Sequence, residues 1–238
     1  MGAFDRTQLL LGAEAMEKLK NSRVAVFGLG GVGGYVAEAL IRSGVGALEL
    51  IDHDTISESN LNRQLFALRS TLGMGKAEAA KARMLDINPA AQVVARQEFY
   101  GPDTAENFDF RQYDYVVDAI DTVTGKLALI AAAKAANVPI LCCMGTGNKL
   151  DASLFRIADI SKTAVCPLAR VMRKECAKRG YRQVKVLYST EDALAPALTP
   201  EDLAELPEGR RTIPGSVSFV PSVAGLLIAG EVVKDLIK

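Results

Sequence analysis

Gly28, Gly30 and Gly33 form G-x-G-x-x-G between a short apolar run, RVAVF, and a helical pattern, YVAEALIRSG. Backbone N–H groups at such a helix start can hold a phosphate, and the helix dipole adds to the attraction. Asp52 ends the next apolar run, where an acid bonds ribose hydroxyls in a dinucleotide fold. These residues alone suit a nicotinamide dehydrogenase as well as an adenylate-forming enzyme. The residues that follow separate the two. A hydride leaves a neutral ring and needs no cluster of cations. Attack on the α-phosphate of ATP builds negative charge on the phosphates and the leaving pyrophosphate, and positioned cations and metal catalyse it. The segment SNLNRQ supplies Asn60, a donor to a phosphate oxygen, and Arg63, a first cation; Lys76 supplies a second. Asp121, expected at the C-terminal end of the strand VVDAID, is the candidate ligand for Mg²⁺ beside the sheet's switch point.

Alternating strands and helices must position these groups. RVAVF, ALELIDHD, AQVVARQEF, YDYVVDAIDT and VPILCCMG read as strands. The helical stretches between them include the one after the glycines, MGKAEAAKARMLDINP closed by Pro89, and KLALIAAAKAANV. Short apolar runs alternating with helices predict an α/β, doubly wound, Rossmann-like and mostly parallel sheet. After Gly145 the pattern loosens into two further strands, SLFRIADI and QVKVLYST, around a helix, PLARVMRKECAKR. EDALAPALTPEDLAELPEGRRTIPG is Pro-rich and acidic and reads as a mobile loop from about Asp192 to Pro214. PSVAGLLIAGEVVKDLIK reads as a helix begun by proline. No internal repeat or linker divides the chain, so one domain over residues 1–238 is expected, with its nucleotide part at about 1–145 and its substrate part at about 146–238.

Composition limits the partners. The chain has 238 residues, 49% of them hydrophobic, and no formal net charge, so a sizeable core is expected and any polyanion-binding patch must be local. Cys142, Cys143, Cys166 and Cys176 form no C-x-x-C pair, so structural zinc is not expected. MGAFDRTQLL does not read as a signal peptide, Arg6 stands where a myristoylation signal has Ser or Thr, and VAGLLIAG is too short to span a bilayer. The expectation is a cytoplasmic protein without a membrane partner. From Lys162 to Lys185 there are eight basic residues opposed only by Glu175. On a helix from Pro167, Arg170, Arg173, Lys174 and Lys178 share one face, with Leu168, Val171, Met172 and Cys176 opposite. Such a face is the candidate nucleic-acid surface; the alternative is a solvated amphipathic helix.

GLGGVG, DHDTISESNLNRQ, Gly75-Lys76 and DAIDT, taken together, resemble the nucleotide site of the ubiquitin-activating-enzyme superfamily, over roughly residues 4–145. The resemblance implies that SNLNRQ holds ATP with Asn60 and Arg63 facing the triphosphate. It extends the nucleotide set beyond Gly28, Gly30, Gly33, Asp52 and Lys76 to Gly31, Asp54, Ser59, Asp121 and Thr122. FDRTQLLLG resembles the segment whose arginine reaches into a partner's ATP site, which implies that Arg6 acts in trans in a homodimer. His53 would cover the adenine.

The second half narrows the likeness. ADISKTAVCPLARVMRKECAKRGY and PGSVSFVPSVAGLLIAGEVVKDLI resemble the tRNA threonylcarbamoyladenosine dehydratases, which use ATP to activate the carboxylate of a modified adenosine beside the anticodon and close it to a ring. The implied partners are tRNA and a second copy, and the implied cofactors ATP and Mg²⁺. A monovalent cation and a cysteine-desulfurase or sulfur-acceptor system stay open. Some relatives use a thioester cysteine, and Cys166 precedes a helix start that could lower a thiol pKa. Cyclisation needs no thiol, however, and Cys142 and Cys143 read as core. The rival readings are an enzyme adenylating the C-terminus of a sulfur-carrier protein, a nucleotide-binding adaptor without catalysis, and an NAD-dependent dehydrogenase.

Overall fold

The computed structural model describes residues 2–199 and 213–238. Two short helices, α1 (Asp5–Leu11) and α2 (Ala13–Asn21), precede the strand β1 (Arg23–Phe27). There follow α3 (Gly33–Arg42), β2 (Ala47–Ile51), α4 (Lys76–Ile87), β3 (Gln92–Arg96), β4 (Tyr115–Asp118), α5 (Val123–Ala135) and β5 (Ile140–Cys143). The last part holds β6 (Phe155–Asp159), α6 (Pro167–Lys178), β7 (Lys185–Ser189) and a long final helix, α7 (Phe219–Leu236). The seven strands run in the order β3-β2-β1-β4-β5-β7-β6. All neighbours pair parallel except β6 and β7, which pair antiparallel. The expected doubly wound, mostly parallel sheet is the architecture observed.

Side chains of a strand alternate between faces, and β1 divides accordingly. Val24 and Val26 enter the layer shared with α3, α4 and α7, where Val220, Ala224, Ile228 and Val232 recur every fourth residue. Ala25 and Phe27 enter the opposite layer with the buried positions of α5 and α6. Phe27 packs there among Tyr100, Phe108 and Phe110, with ring centroids 4.8–5.7 Å away.

Strand order reverses between β1 and β4, where Phe27 lies beside Asp118. In an open α/β sheet the crevice beyond such a reversal is where ligands bind. Gly28 makes the turn there with φ 88°, in the left-handed region, and a side chain on it would meet the Ala119 carbonyl oxygen at 2.7 Å. Only glycine meets both demands without strain.

Several elements differ from their sequence reading. β4 ends at Asp118, three residues before Asp121. The chain turns away because the Asp118 carboxylate accepts the Ile120 N–H at 3.2 Å and Ala119 N–H bonds Phe27 O at 2.8 Å. α7 begins two residues before Pro221, which fits within the first turn because an N–H there needs no helical partner. α1 and α2 have no counterpart in the sequence reading. α1 has no fully buried residue; Leu11 packs partly buried against the core, while Leu9 and Leu10 face outward. In the stretch read as a mobile loop, residues 192–199 form neither helix nor strand, and residues 200–212 lie outside the described residues. Among the described residues, no helix is long and apolar enough to cross a membrane.

Candidate active site

A cavity of about 670 Å³ opens at the switch point and continues to the loop after β5, the start of α6 and the segment Pro214–Ser216. Gly28, Gly30, Gly31, Asp52, Asp54, Asn60, Arg63, Lys76, Asp121 and Thr122 all line it. Five segments separated in sequence therefore bring most of the expected nucleotide set together. Gly33 does not line the cavity. It closes the turn, where a side chain would strike the Gly28 carbonyl oxygen at 1.8 Å.

The buried Asp52 carboxylate braces the glycine turn. One oxygen accepts the Leu29 N–H at 2.7 Å and the other the Asp54 N–H at 2.9 Å. Each carboxylate oxygen has a second lone pair, so the group can also accept ribose hydroxyls. Asn60 is buried, and its Oδ1 accepts the Ser57 N–H at 3.2 Å, closing the turn that begins SNLNRQ. The expectation for Asn60 was donation alone; its oxygen shapes the turn. Ser59 is exposed and does not line the cavity. Its hydroxyl lies 2.9 Å from that of Ser57, and its carbonyl accepts Arg63 at 2.9 Å. Arg63 also donates to Asn62 Oδ1 at 2.8 Å. The guanidinium is thus parked on its own turn at the cavity wall.

Lys76 begins α4 with its side chain almost covered, and Nζ lies 2.7 Å from Asp54 Oδ2. Burial works to raise the Asp54 pKa, but the hydrogen bond and charge of Lys76 outweigh it and hold the carboxyl below its usual range. His53 is exposed, with Nε2 3.2 Å from Asp54 and its ring edge-on to Phe99 at 5.0 Å. Donor atoms of Asp52, His53 and Asp54 lie within 4.8 Å of one another, but Asp52 already takes two N–H groups and Asp54 a lysine. Asp121, exposed in the loop after β4 and facing the same cavity, is the carboxylate better suited to a hard cation.

A second lysine–aspartate pair lies deeper, and the sequence reading missed it. Lys126 and Asp118 are both fully covered. Lys126 Nζ donates to both Asp118 oxygens at 3.0 Å and to Cys143 O at 2.7 Å, using all three of its protons. Burial opposes the Lys126 charge, but the facing Asp118 carboxylate outweighs it and holds the lysine pKa above its ordinary value. The pair ties the ends of β4 and β5 to the first turn of α5, and from those ends run the loops that carry Asp121 and the far wall of the cavity. A lysine opening an apolar helix was the only hint in the sequence.

The thiols are covered. Burial pushes Cys142 well up, Cys143 to about 12, and Cys176 upward. Cys166 lines the cavity as the residue capping α6, and is 2% exposed. All four cysteines are free.

Two further expectations concern surface cations. Arg6 is exposed on α1 and does not line this chain's cavity. On α6 the basic face is smaller than the helical wheel implied. Arg173 folds back to donate to Thr163 O at 2.5 Å and Thr163 Oγ1 at 2.9 Å. Lys178 pairs with Glu175 at 2.9 Å. Val171 is 46% exposed, and Ala169 is the buried residue on the docking side. Arg170 and Lys174 remain as exposed cations of the face.

The sequence and fold have known counterparts. A model of the ThiF family matches residues 4–238. The tRNA threonylcarbamoyladenosine dehydratase of Bacillus subtilis (strain 168) is 44% identical, over 99% of this chain and 94% of that protein. The crystal structure of the E. coli tRNA N6-threonylcarbamoyladenosine dehydratase in complex with ATP matches with a TM-score of 0.87 and 32% identity, over 98% of this chain and 93% of that one. An adenylyltransferase and sulfurtransferase, MOCS3 of Drosophila willistoni, is 35% identical over only 62% of this chain and 32% of that protein.

Proposed function

We propose, from the premise that the chain belongs to the ThiF family, that it is an ATP-dependent tRNA threonylcarbamoyladenosine dehydratase. The observation that supports this reading is one continuous cavity with the glycine turn, the Asp52 carboxylate and the cations of Arg63 and Lys76 at one end, and a further chamber at the other. The substrate carboxylate attacks the α-phosphate of ATP, forming a C–O–P bond while the bond to pyrophosphate breaks. A nucleophile within the same side chain then attacks the acyl carbon. AMP leaves with the former carboxylate oxygen, and the net change in the substrate is loss of water.

Asp52 holds the ribose, and the backbone of Gly28, Gly30 and Gly31 holds the phosphates. Lys76 and Arg63 meet the charge that develops on the phosphates, Arg63 leaving Ser59 and Asn62 to do so. Asn60 and Thr122 border the same space. Asp121 would hold Mg²⁺, which neutralises phosphate charge when bound. No thiol takes part, in keeping with the burial of Cys142, Cys143 and Cys166.

Arg6 completes the site of a partner copy in a cytoplasmic homodimer. What supports this is a first helix with no buried residue and with Leu9 and Leu10 82% and 84% exposed. If the site is shared, Arg6→Ala and Asp121→Ala proteins regain activity on mixing; no recovery after proven subunit exchange counts against it. The polyanion meets the face of Arg170 and Lys174.

The reading is tested by pyrophosphate release from ATP, with threonylcarbamoylated tRNA, unmodified tRNA or sulfur-carrier proteins added in turn. Release driven by the modified tRNA alone is expected. Release driven by a carrier protein instead would favour the carrier-activating reading, and ATP binding without release would favour an adaptor.

A further inference from the structure

The far chamber of the cavity differs in chemistry from the nucleotide end. Among the described residues, its one cationic side chain is Lys149, which is 4% exposed and gives its ammonium to the Glu191 carbonyl at 2.6 Å. With one covered lysine among the described residues where the nucleotide end has both Arg63 and Lys76, the chamber suits a neutral group better than a phosphate. The groups that remain are neutral: the hydroxyls of Thr146 and Ser216 and the amide of Asn148, beside the apolar Met144 and Leu168. Gly145, Gly147 and Gly215 line the same walls and let a ligand approach the backbone.

The walls are also fixed in place. Asn148 N–H donates to Gly215 O at 2.8 Å, its side-chain oxygen accepts the Gly215 N–H at 2.6 Å, and its carbonyl accepts the Leu194 N–H at 2.9 Å. One residue therefore joins the loop after β5 to segments on either side of residues 200–212. Asn62, within SNLNRQ, donates from its amide nitrogen to Ser216 O at 3.0 Å while its oxygen accepts Arg63. The segment bearing Ser216 is thus pinned to the far loop on one side and to the nucleotide end on the other. The second asparagine of the motif, unassigned until now, joins the two ends.

We propose that this chamber is the subsite for the threonylcarbamoyl group, with the Thr146 and Ser216 hydroxyls reading its urea and secondary alcohol. The proposal rests on the dehydratase reading above. Once the carboxylate faces the α-phosphate, what is left of the side chain is a neutral urea, a hydroxyl and a methyl group. Neutral donors and acceptors beside small apolar surface match that set, and fixed charge would not. The same geometry gives selectivity: an unmodified adenosine offers the two half-buried hydroxyls no partner and leaves them to water, so it forgoes hydrogen bonds that the modified one makes.

The test compares wild type with the double variant Thr146→Val/Ser216→Ala. Dissociation constants are measured for ATP, for tRNA bearing threonylcarbamoyladenosine, and for the same tRNA without it. The ratio of the two tRNA affinities isolates the subsite, because the phosphate backbone is common to both. Removing two neutral hydrogen bonds is expected to shrink this ratio about tenfold, with ATP and unmodified-tRNA affinities within about twofold of wild type. An unchanged ratio overturns the subsite. A matching fall in ATP affinity overturns it too, by assigning the hydroxyls to the nucleotide end. The dehydratase reading fails separately, if wild type releases no pyrophosphate with the modified tRNA.

Discussion

One lysine–aspartate pair lines the cavity and a second lies behind its wall, and water separates their roles. Lys76 meets Asp54 at 2.7 Å, and the Asp54 side chain is 51% exposed. Lys126 meets Asp118 at 3.0 Å with both side chains wholly covered. On the proposed reading the first pair can trade Asp54 for a phosphate, because it lines the cavity and Asp54 is open to water. The second cannot change partners without leaving a charge in a dry interior, which is costly. Their chemistry is the same, yet one pair is suited to act on a ligand and the other to hold the loops that receive it.

The comparison breaks most visibly in the rate. Lys76→Met and Arg63→Ala are each expected to lower pyrophosphate release at saturating ATP and tRNA by roughly 10³-fold or more, the cost of losing a cation at a phosphoryl transition state. Thermal stability should fall less for Lys76→Met than for loss of the fully buried pair, because Asp54 is 51% exposed and stays hydrated when the lysine is gone. A rate within about threefold of wild type would leave these cations as surface charges.

The buried pair should give the opposite pattern. Lys126→Met strands the Asp118 carboxylate and is expected to destabilise the fold by about 3–5 kcal/mol. Replacing both partners, Lys126→Met with Asp118→Leu, should recover most of that stability. Denaturant midpoints of the three proteins check this. Destabilisation of the double variant equal to that of the single one would contradict the account of the pair.

These two pairs also mark how far the sequence could be read. That Gly28, Asp52 and Lys76 meet at one cavity was legible, because a strand–glycine turn–helix unit dictates residue type locally and in order along the chain. Asp118 and Lys126 were not, because their partnership arises only when β4, β5 and α5 pack. Asp121 was assigned to the end of a strand that stops at Asp118, since nothing local announces that the carboxylate is drawn inward. Thr146 and Ser216 are ordinary residues in distant segments, and only the fold brings them to one chamber. The glycine-rich run GTGNK after β5 marks Thr146, and nothing comparable marks Ser216. The helical wheel placed Arg170 and Lys174 on the exposed face of α6, but a wheel cannot see Thr163 waiting for Arg173 on the preceding turn.

That correction alters the expected tRNA surface. Reversing Arg170 and Lys174 to Glu should weaken tRNA binding and flatten its salt dependence by roughly 0.7–0.9 in the log–log slope for each phosphate no longer neutralised. ATP affinity should be retained. Arg173→Ala should change the slope less, because its guanidinium is engaged with Thr163. Equal slope changes at all three positions would mean that Arg173 swings free in the complex.

The smallest effect concerns a third pair, between those extremes in exposure. Asp235 binds Lys185 and also accepts from Tyr115 at 2.8 Å, joining α7 to the sheet. Burial works to raise its pKa, but hydrogen bonds from Lys185, Lys238 and Tyr115 outweigh it and bring it down to about 2. The unfolded chain's aspartate titrates near 4. The stabilisation is therefore complete above about pH 4 and is lost as pH falls toward 2. Asp235→Asn should flatten the stability profile in that window, as read by denaturation at a series of pH values. An unaltered slope between pH 4 and 2 would place the responsible carboxylate elsewhere.

The most direct measurement follows one oxygen atom. In the proposed reaction the substrate carboxylate is the nucleophile at the α-phosphate, and one of its oxygens leaves with AMP. Threonylcarbamoylated tRNA labelled with oxygen-18 in that carboxylate, turned over with ATP and wild-type protein, should yield AMP carrying the label, with unlabelled pyrophosphate. Label in inorganic phosphate, with ADP as the other product, would contradict an acyl-adenylate and with it the division of the cavity into a nucleotide end and an acceptor end.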